Sequence, residues 1–210
     1  MVYAIVSKTI SCISCVGPTP TFGTMKKVIG LIGEKGSGKQ TFVNFLKEIA
    51  PDLNIRQVRF SDILAQTLMI WDIPITRTNL QKLSLTMNDA FGQASLANAA
   101  KFSIEGDLAD IIIFDGIRRE SELKLVKEME NSILIYISAD QKLRYERLKK
   151  RSEKVGEVGL TYEQFLKEEE SNAEKNIPKL GKKADIGLDN DSTLEDFKKN
   201  IQKFASGILS

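Results

Sequence analysis

Three features in fixed order constrain this chain more than anything else in it. Val28-Ile29-Gly30-Leu31-Ile32 is an apolar run with the length of a buried strand. Glycines at 33, 36 and 38 break that run into a loop. Phe42, Phe45, Leu46 and Ile49 then fall on one face of a helix, which Pro51 ends. The loop, Gly33-Glu34-Lys35-Gly36-Ser37-Gly38-Lys39, fits G-x-x-x-x-G-K, the core of a phosphate-binding P-loop. Glycines let the backbone turn its N–H groups inward, and the helix N-terminus adds partial positive charge. Lys39 adds a full charge for the β/γ-phosphates. One position departs from the pattern: Gln40 stands where Ser or Thr normally offers a hydroxyl to Mg²⁺, and Thr41 follows one place later.

The rest of the chain repeats the strand-then-helix order, so the expected class is α/β with a parallel sheet and right-handed connections. With 210 residues, 42% of them hydrophobic and 28% charged, it suits one globular domain. A net charge of +2 argues against a dedicated nucleic-acid binder. The chain has no histidine, so acid–base chemistry falls to carboxylates, lysine, tyrosine or the substrate. No run is long enough to span a membrane. Residues 1–24 read as a loose extension ahead of a folded unit at 25–210. Their Cys12-x-x-Cys15 lacks the partners of a zinc site. The expected setting is cytoplasmic.

Ile55 to Phe60 reads as a second strand. Ser61 is placed to cap the next helix, with Asp62 in its first turn and Leu64, Leu68 and Met69 on its apolar face. Trp71 is expected to be a packed anchor. Thr78-Asn79-Leu80-Gln81 has capping-box spacing, and helical pieces run on to Phe102 with a break at Gly92. This inserted helical region, about 61–105, suits an acceptor-binding subdomain. Arg77, just before the expected cap, is either part of that subdomain or a solvated arginine.

Ile111-Ile112-Ile113-Phe114-Asp115 is the strongest strand, with the unbroken apolar character of a central parallel strand. Asp115 at its C-terminal end occupies the Walker-B position for Mg²⁺, or else caps the following helix. After a fourth strand at Ile133–Ile137, Arg144, Arg147 and Arg151 project within an arc of about 60° on one helix. They form a phosphate clamp or a solvated basic face. Ser152 to Leu160 reads as a loop. Thr161 to Lys175 reads as a charged helix with Glu168-Glu169-Glu170 facing solvent. Asp185–Leu188 is a last strand. Ser192-Thr193-Leu194-Glu195 offers a cap to a final helix striped by Leu194, Phe197, Ile201 and Phe204.

Taken together, the P-loop, Phe60-Ser61-Asp62, Thr76 to Gln81, Phe114-Asp115-Gly116-Ile117-Arg118, Arg144 to Arg151 and Ala184-Asp185 through Asn190 resemble the P-loop kinases of small nucleotide-type acceptors. Dephospho-CoA kinase, its archaeal look-alikes and the (deoxy)nucleoside monophosphate kinases are the nearest families. The resemblance implies a three-layer sandwich on a five-stranded parallel sheet, a helical insertion and a lid at about 144–175. It implies ATP and Mg²⁺ as cofactors and a small nucleotide-type acceptor as substrate. No nucleic-acid or membrane partner is implied, and the molecule would be a monomer or weak homodimer. Gly33 to Thr41 would hold the donor phosphates, Thr41 and Asp115 the metal, and Asn190 the adenine side. Asp62, Arg77, Gln81 and Arg118 would face the acceptor. Lys39, Asp62, Asp115, Arg144, Arg147 and Arg151 would act in catalysis, with Asp62 the base for a hydroxyl acceptor. Two other classes stay open: a catalytically weak ATP-sensing protein, and a GTPase-type switch, although the chain has no Asn-Lys-x-Asp guanine signature.

Overall fold

The structure is a computed structural model and describes residues 26–150, 161–171 and 174–208. The N-terminal extension with Cys12 and Cys15, Arg151 and the expected loop at 152–160 lie outside the described residues. Five strands form one sheet: β1 (Lys27–Ile32), β2 (Ile55–Arg59), β3 (Ile111–Ile117), β4 (Ser132–Ser138) and β5 (Ile186–Asp189). Their order is β2-β3-β1-β4-β5, and every adjacent pair is parallel. This is the expected α/β three-layer fold.

Strand alternation creates two cores from one sheet. From β3, Ile112 and Phe114 face one way, joined by Val28, Val58 and Leu134. Helices α2 (Phe60–Ile70), α4 (Ser95–Phe102), α5 (Glu120–Lys127) and α8 (Ile177–Gly181) contribute to that side. Ile111 and Ile113 face the other way with Ile29, Leu31 and Ile135. There α1 (Lys39–Ile49) and α9 (Leu194–Ile208) cover them, and Phe42 meets Phe204 at 5.7 Å between ring centroids. Each fully buried Phe or Ile contributes about 1.5–3 kcal/mol of transfer free energy, which explains why β1 and β3 carry so few polar residues. Gly116 (φ 86°) is left out of register between Leu31↔Asp115 and Ile32↔Ile117. Its left-handed backbone bulges the ladder just after Asp115, and pairing resumes at Ile117.

Several boundaries move from their expected places. The second strand stops at Arg59 and α2 begins directly at Phe60, so Ser61 caps nothing. Phe60, Leu64 and Leu68 take its buried stripe; Met69 is 64% and Trp71 73% exposed. Trp71 follows the last turn of α2, beyond the sheet, and is no packed anchor. The cap of α3 (Arg77–Phe91) is Thr76, whose extended backbone lets its hydroxyl accept from the Asn79 N–H at 3.1 Å. Thr78 and Arg77 are therefore inside the helix. Thr193, one place after the expected Ser192, accepts from the Asp196 N–H at 3.2 Å at the start of α9. The expected Thr161–Lys175 helix stops early: α7 covers Tyr162–Glu169, and α8 begins at Ile177 with Pro178 in its first turn.

Candidate functional site

The loop between β1 and α1 forms the floor of a site at the C-terminal edge of the sheet. Gly36 (φ 83°) and Gly38 (φ 111°) adopt left-handed backbone conformations. A Cβ on Gly36 would stand 2.8 Å from the Arg144 carbonyl oxygen, and one on Gly38 would stand 2.3 Å from Asn190 Nδ2. Both positions thus require glycine for backbone and for space. Lys39, the first residue of α1, folds back over the loop and donates to the carbonyls of Gly33 (2.6 Å) and Glu34 (3.0 Å). Burial pulls its ammonium pKa below the ordinary 10.5; Asp115 opposes this, Arg118 adds to it, and Glu174 and Glu34 oppose it. Glu34 accepts from the Tyr136 hydroxyl at 2.7 Å.

Buried polar atoms without a protein partner gather at this loop. Of the six such side-chain atoms among the described residues, Glu34 Oε2, Ser37 Oγ, Asp115 Oδ1 and Arg147 Nη1 belong to the loop or to residues around it. Uncompensated burial is costly, so a cluster of such atoms marks a place built for a polar ligand. Inward glycines, a helix N-terminus and Lys39 suit the phosphates of ATP. Asp115 Oδ1 suits one contact to Mg²⁺. Thr41 is half-buried in the first turn of α1. Gln40, in the hydroxyl position, is engaged elsewhere. Its Oε1 accepts from Arg59 Nη2 and from Gln57 Nε2 (3.3 Å), and its Nε2 donates to Asn44 Oδ1 (2.7 Å). Gln57 Nε2 also donates to Asp115 Oδ2 at 2.8 Å.

The arginines stand differently from their sequence pattern. Arg144 is buried on α6 (Gln141–Lys150) and forms a two-pronged pair with Glu169 of α7, Nη1 to Oε1 and Nη2 to Oε2 at 3.0 Å. It also donates to the Ala139 and Lys35 carbonyls at 3.0 and 3.3 Å. Arg147 turns to Asn190 and donates to its backbone carbonyl at 2.8 Å. The described pair are thus engaged separately, Arg144 by Glu169 and Arg147 by Asn190, each reached from another element that helix spacing does not reveal. For the same reason Glu168 and Glu169 do not face solvent. Glu168 pairs with Lys35 (3.5 Å) and with Arg77, and of the three only Glu170 is exposed.

Glu174 was not singled out by the sequence, since nothing in its charged surroundings sets it apart. It is buried, at 3.2 Å from Arg118 and 4.0 Å from Arg77. It thus joins two residues expected on the acceptor side. Asp62 and Gln81 lie exposed on α2 and α3. Asn190 is buried, and its amide Nδ2 donates to the Ser37 carbonyl at 2.8 Å, so its donor faces the loop. Among the described residues no helix is long and apolar enough to cross a membrane, and no cluster of three acidic or sulfur ligands could hold a metal.

No family model matches the chain. Among solved structures, shikimate kinase from Bacteroides thetaiotaomicron aligns with a TM-score of 0.56 at 12% identity, over 86% of this chain and 98% of that one. Shikimate kinase from Acinetobacter baumannii, in complex with shikimate, aligns with a TM-score of 0.52 at 14% identity, over 89% and 94%. The fold is that of the P-loop kinases. In sequence, a UPF0200 protein of Methanocaldococcus jannaschii is 26% identical over 185 residues, 87% of this chain and 91% of its own length. A UPF0200 protein of Sulfurisphaera tokodaii is 30% identical over 183 residues, 87% of this chain and 98% of its own length. With that identity along nearly the whole relative, the chain belongs to the UPF0200 family.

Proposed function

We propose that this protein is an ATP- and Mg²⁺-dependent phosphotransferase that acts on a small nucleotide-type acceptor, dephospho-CoA or a (deoxy)nucleoside monophosphate. The observation that carries the reading is the gathering of partnerless buried polar atoms around a glycine loop that ends on Lys39. ATP supplies the phosphoryl group, and Mg²⁺ neutralises charge on it. The chain's own residues bind and orient. Loop amides and Lys39 hold the donor phosphates; the Lys39 ammonium donates to two carbonyls, which a phosphate oxygen replaces as a stronger, charge-assisted partner. Asp115 presents its unpartnered oxygen on the metal side. Arg118 and Arg77, both beside Glu174, would receive an anionic acceptor group. Asp62, exposed on α2, is the carboxylate available to take a proton from a hydroxyl acceptor. Catalysis by positioning and charge matches what phosphoryl transfer requires.

An ATP-consumption panel tests this. Dephospho-CoA, the common ribo- and deoxyribonucleoside monophosphates and, as outgroups, shikimate and simple sugars are each supplied with ATP and Mg²⁺. Acceptor-dependent ADP formation with one of the nucleotide-type compounds is expected. Turnover confined to shikimate or a sugar overturns the acceptor class, and no ATP turnover with any compound overturns the kinase reading.

A further inference from the structure

Gln40 and Arg59 form an arrangement that the phosphate-loop pattern does not contain. Arg59 ends β2 in direct register with Asp115 on β3. Its Nε stands 3.5 Å from Asp115 Oδ2, and its Nη2 donates to Gln40 Oε1. Gln57, two residues earlier on the same strand face, donates to both Asp115 Oδ2 and Gln40 Oε1. Gln40 Nε2 is fixed in turn by Asn44. The amide at the hydroxyl position is therefore held between a strand and its own helix. Its oxygen receives two donors, one of them charged, and its role is to hold a guanidinium beside the Walker-B carboxylate.

Charge follows from this geometry. In a phosphate loop with only a lysine and a carboxylate, the two cancel, and the divalent cation carries the remaining neutralisation of a triphosphate. Here two fixed cations, Lys39 and Arg59, stand with Asp115 at the ends of β1, β2 and β3. Arginine suits the place, because it stays charged and its planar fork contacts two oxygens at once. Arg59 is half-exposed, so its guanidinium keeps a side open to solvent. Asp115 Oδ2 already has Gln57 and Arg59, which leaves Oδ1 as its sole free oxygen.

Resting on the reading of this loop as a nucleoside triphosphate site, we propose that Arg59 is a built-in cation of that site, positioned by Gln40. It takes over part of the phosphate neutralisation that a hydroxyl-ligated divalent cation otherwise provides. Triphosphate binding in this protein is then only weakly dependent on divalent metal, although metal still serves the transfer step.

Isothermal titration of the full chain with ATP, at constant ionic strength, with Mg²⁺ and with EDTA, tests the proposal without measuring activity. For the wild-type protein the two Kd values should lie within about threefold, since a fixed cation supplies charge-assisted contacts in both conditions. Arg59→Gln should weaken metal-free binding by about tenfold or more while changing Mg-ATP binding by less than about threefold. Gln40→Ala, which releases the guanidinium, should move the same way to a smaller degree, and Arg59→Lys should restore most of the metal-free affinity. If Arg59→Gln fails to fold, the wild-type ratio and the Gln40→Ala and Arg59→Lys proteins decide the matter. A wild-type Kd that rises tenfold or more in EDTA overturns the proposal, as does an equal loss in both conditions for Arg59→Gln. Wild-type protein that binds ATP in neither condition overturns the nucleotide reading itself, a result distinct from the other two.

Discussion

The side-chain amide of Asn190 donates to the backbone carbonyl of Ser37 at 2.8 Å, tying the end of β5 to the middle of the phosphate loop across 153 positions of sequence. The same residue receives Arg147 at its backbone carbonyl, and its Nδ2 occupies the space that a Cβ on Gly38 would need. One buried side chain therefore fixes the loop from behind.

Asn190→Ala is expected to lower stability by about 1–3 kcal/mol, because the Ser37 carbonyl is left buried and unpaired. Asn190→Asp should cost more, since a carboxylate oxygen would face that carbonyl. Urea unfolding checks both. A loss for Asp no greater than for Ala would show that the amide N–H is not the working contact.

Lys39→Ala should cut turnover by about 10²-fold or more, as a single aimed donor in a water-poor site is worth several kcal/mol. Among the described residues its ammonium donates to two backbone carbonyls, Gly33 and Glu34, and forms no side-chain hydrogen bond, so folding should change little. Steady-state kinetics beside a thermal melt separates the two effects. Turnover near the wild-type value in a well-folded variant refutes the donor-site role.

Arg144 and Glu169 test whether α6 carries a clamp or a structural pair. Both are largely buried and meet through two bonds. Arg144→Ala is expected to destabilise by about 3–5 kcal/mol, because Glu169 is left uncompensated, while Arg144→Met with Glu169→Leu should regain most of that loss. A double-mutant cycle by chemical denaturation measures the coupling. A small, additive pair of effects would return Arg144 to the role of a free phosphate-binding residue.

Asp62→Asn reports on the acceptor. If the acceptor is a hydroxyl, as on a ribose, loss of the base should lower kcat by about 10²–10⁴-fold with ATP affinity unchanged. If the acceptor is an ionised monophosphate, the fall should be below about tenfold. Asp62 is exposed, so melting temperature should barely move in either case. A melting shift with unchanged kinetics would instead make Asp62 a structural residue of the first turn of α2.

Glu122 gives a pH prediction away from the site. It is buried at the start of α5 and accepts from the Arg118 N–H (2.7 Å) and the Arg119 N–H (3.1 Å). Burial raises its carboxyl pKa above the ordinary 4.5, against those two bonds and the nearby guanidinium charges. The folded state therefore holds this proton more tightly than the unfolded chain does. Its contribution is full below the unfolded pKa and is lost as pH rises through the folded one. As pH rises above about 4.5, unfolding free energies should fall less steeply for Glu122→Gln than for the wild-type protein. Parallel curves for the two proteins would refute the shift.

The sequence by itself determined the parallel sheet, the phosphate loop and the place of Asp115. Each is local: an apolar run, glycines at fixed offsets, a carboxylate at the end of a buried strand. Hydrophobic period and backbone chemistry act over a few residues, so they are legible in the chain. Tertiary structure decided the partners of the charges. Arg144 sits in a helical arc that reads as a clamp, yet Glu169 reaches it from another helix. Glu168 and Glu169 sit in a run that reads as solvated, yet they face Arg77, Lys35 and Arg144. Glu174 and Arg59 carry no motif and enter the site only because chain crossings bring them beside Arg118 and Asp115. A charge acts through space and chooses its partner after the sheet has assembled. Spacing along one helix therefore locates a side chain without telling what it meets.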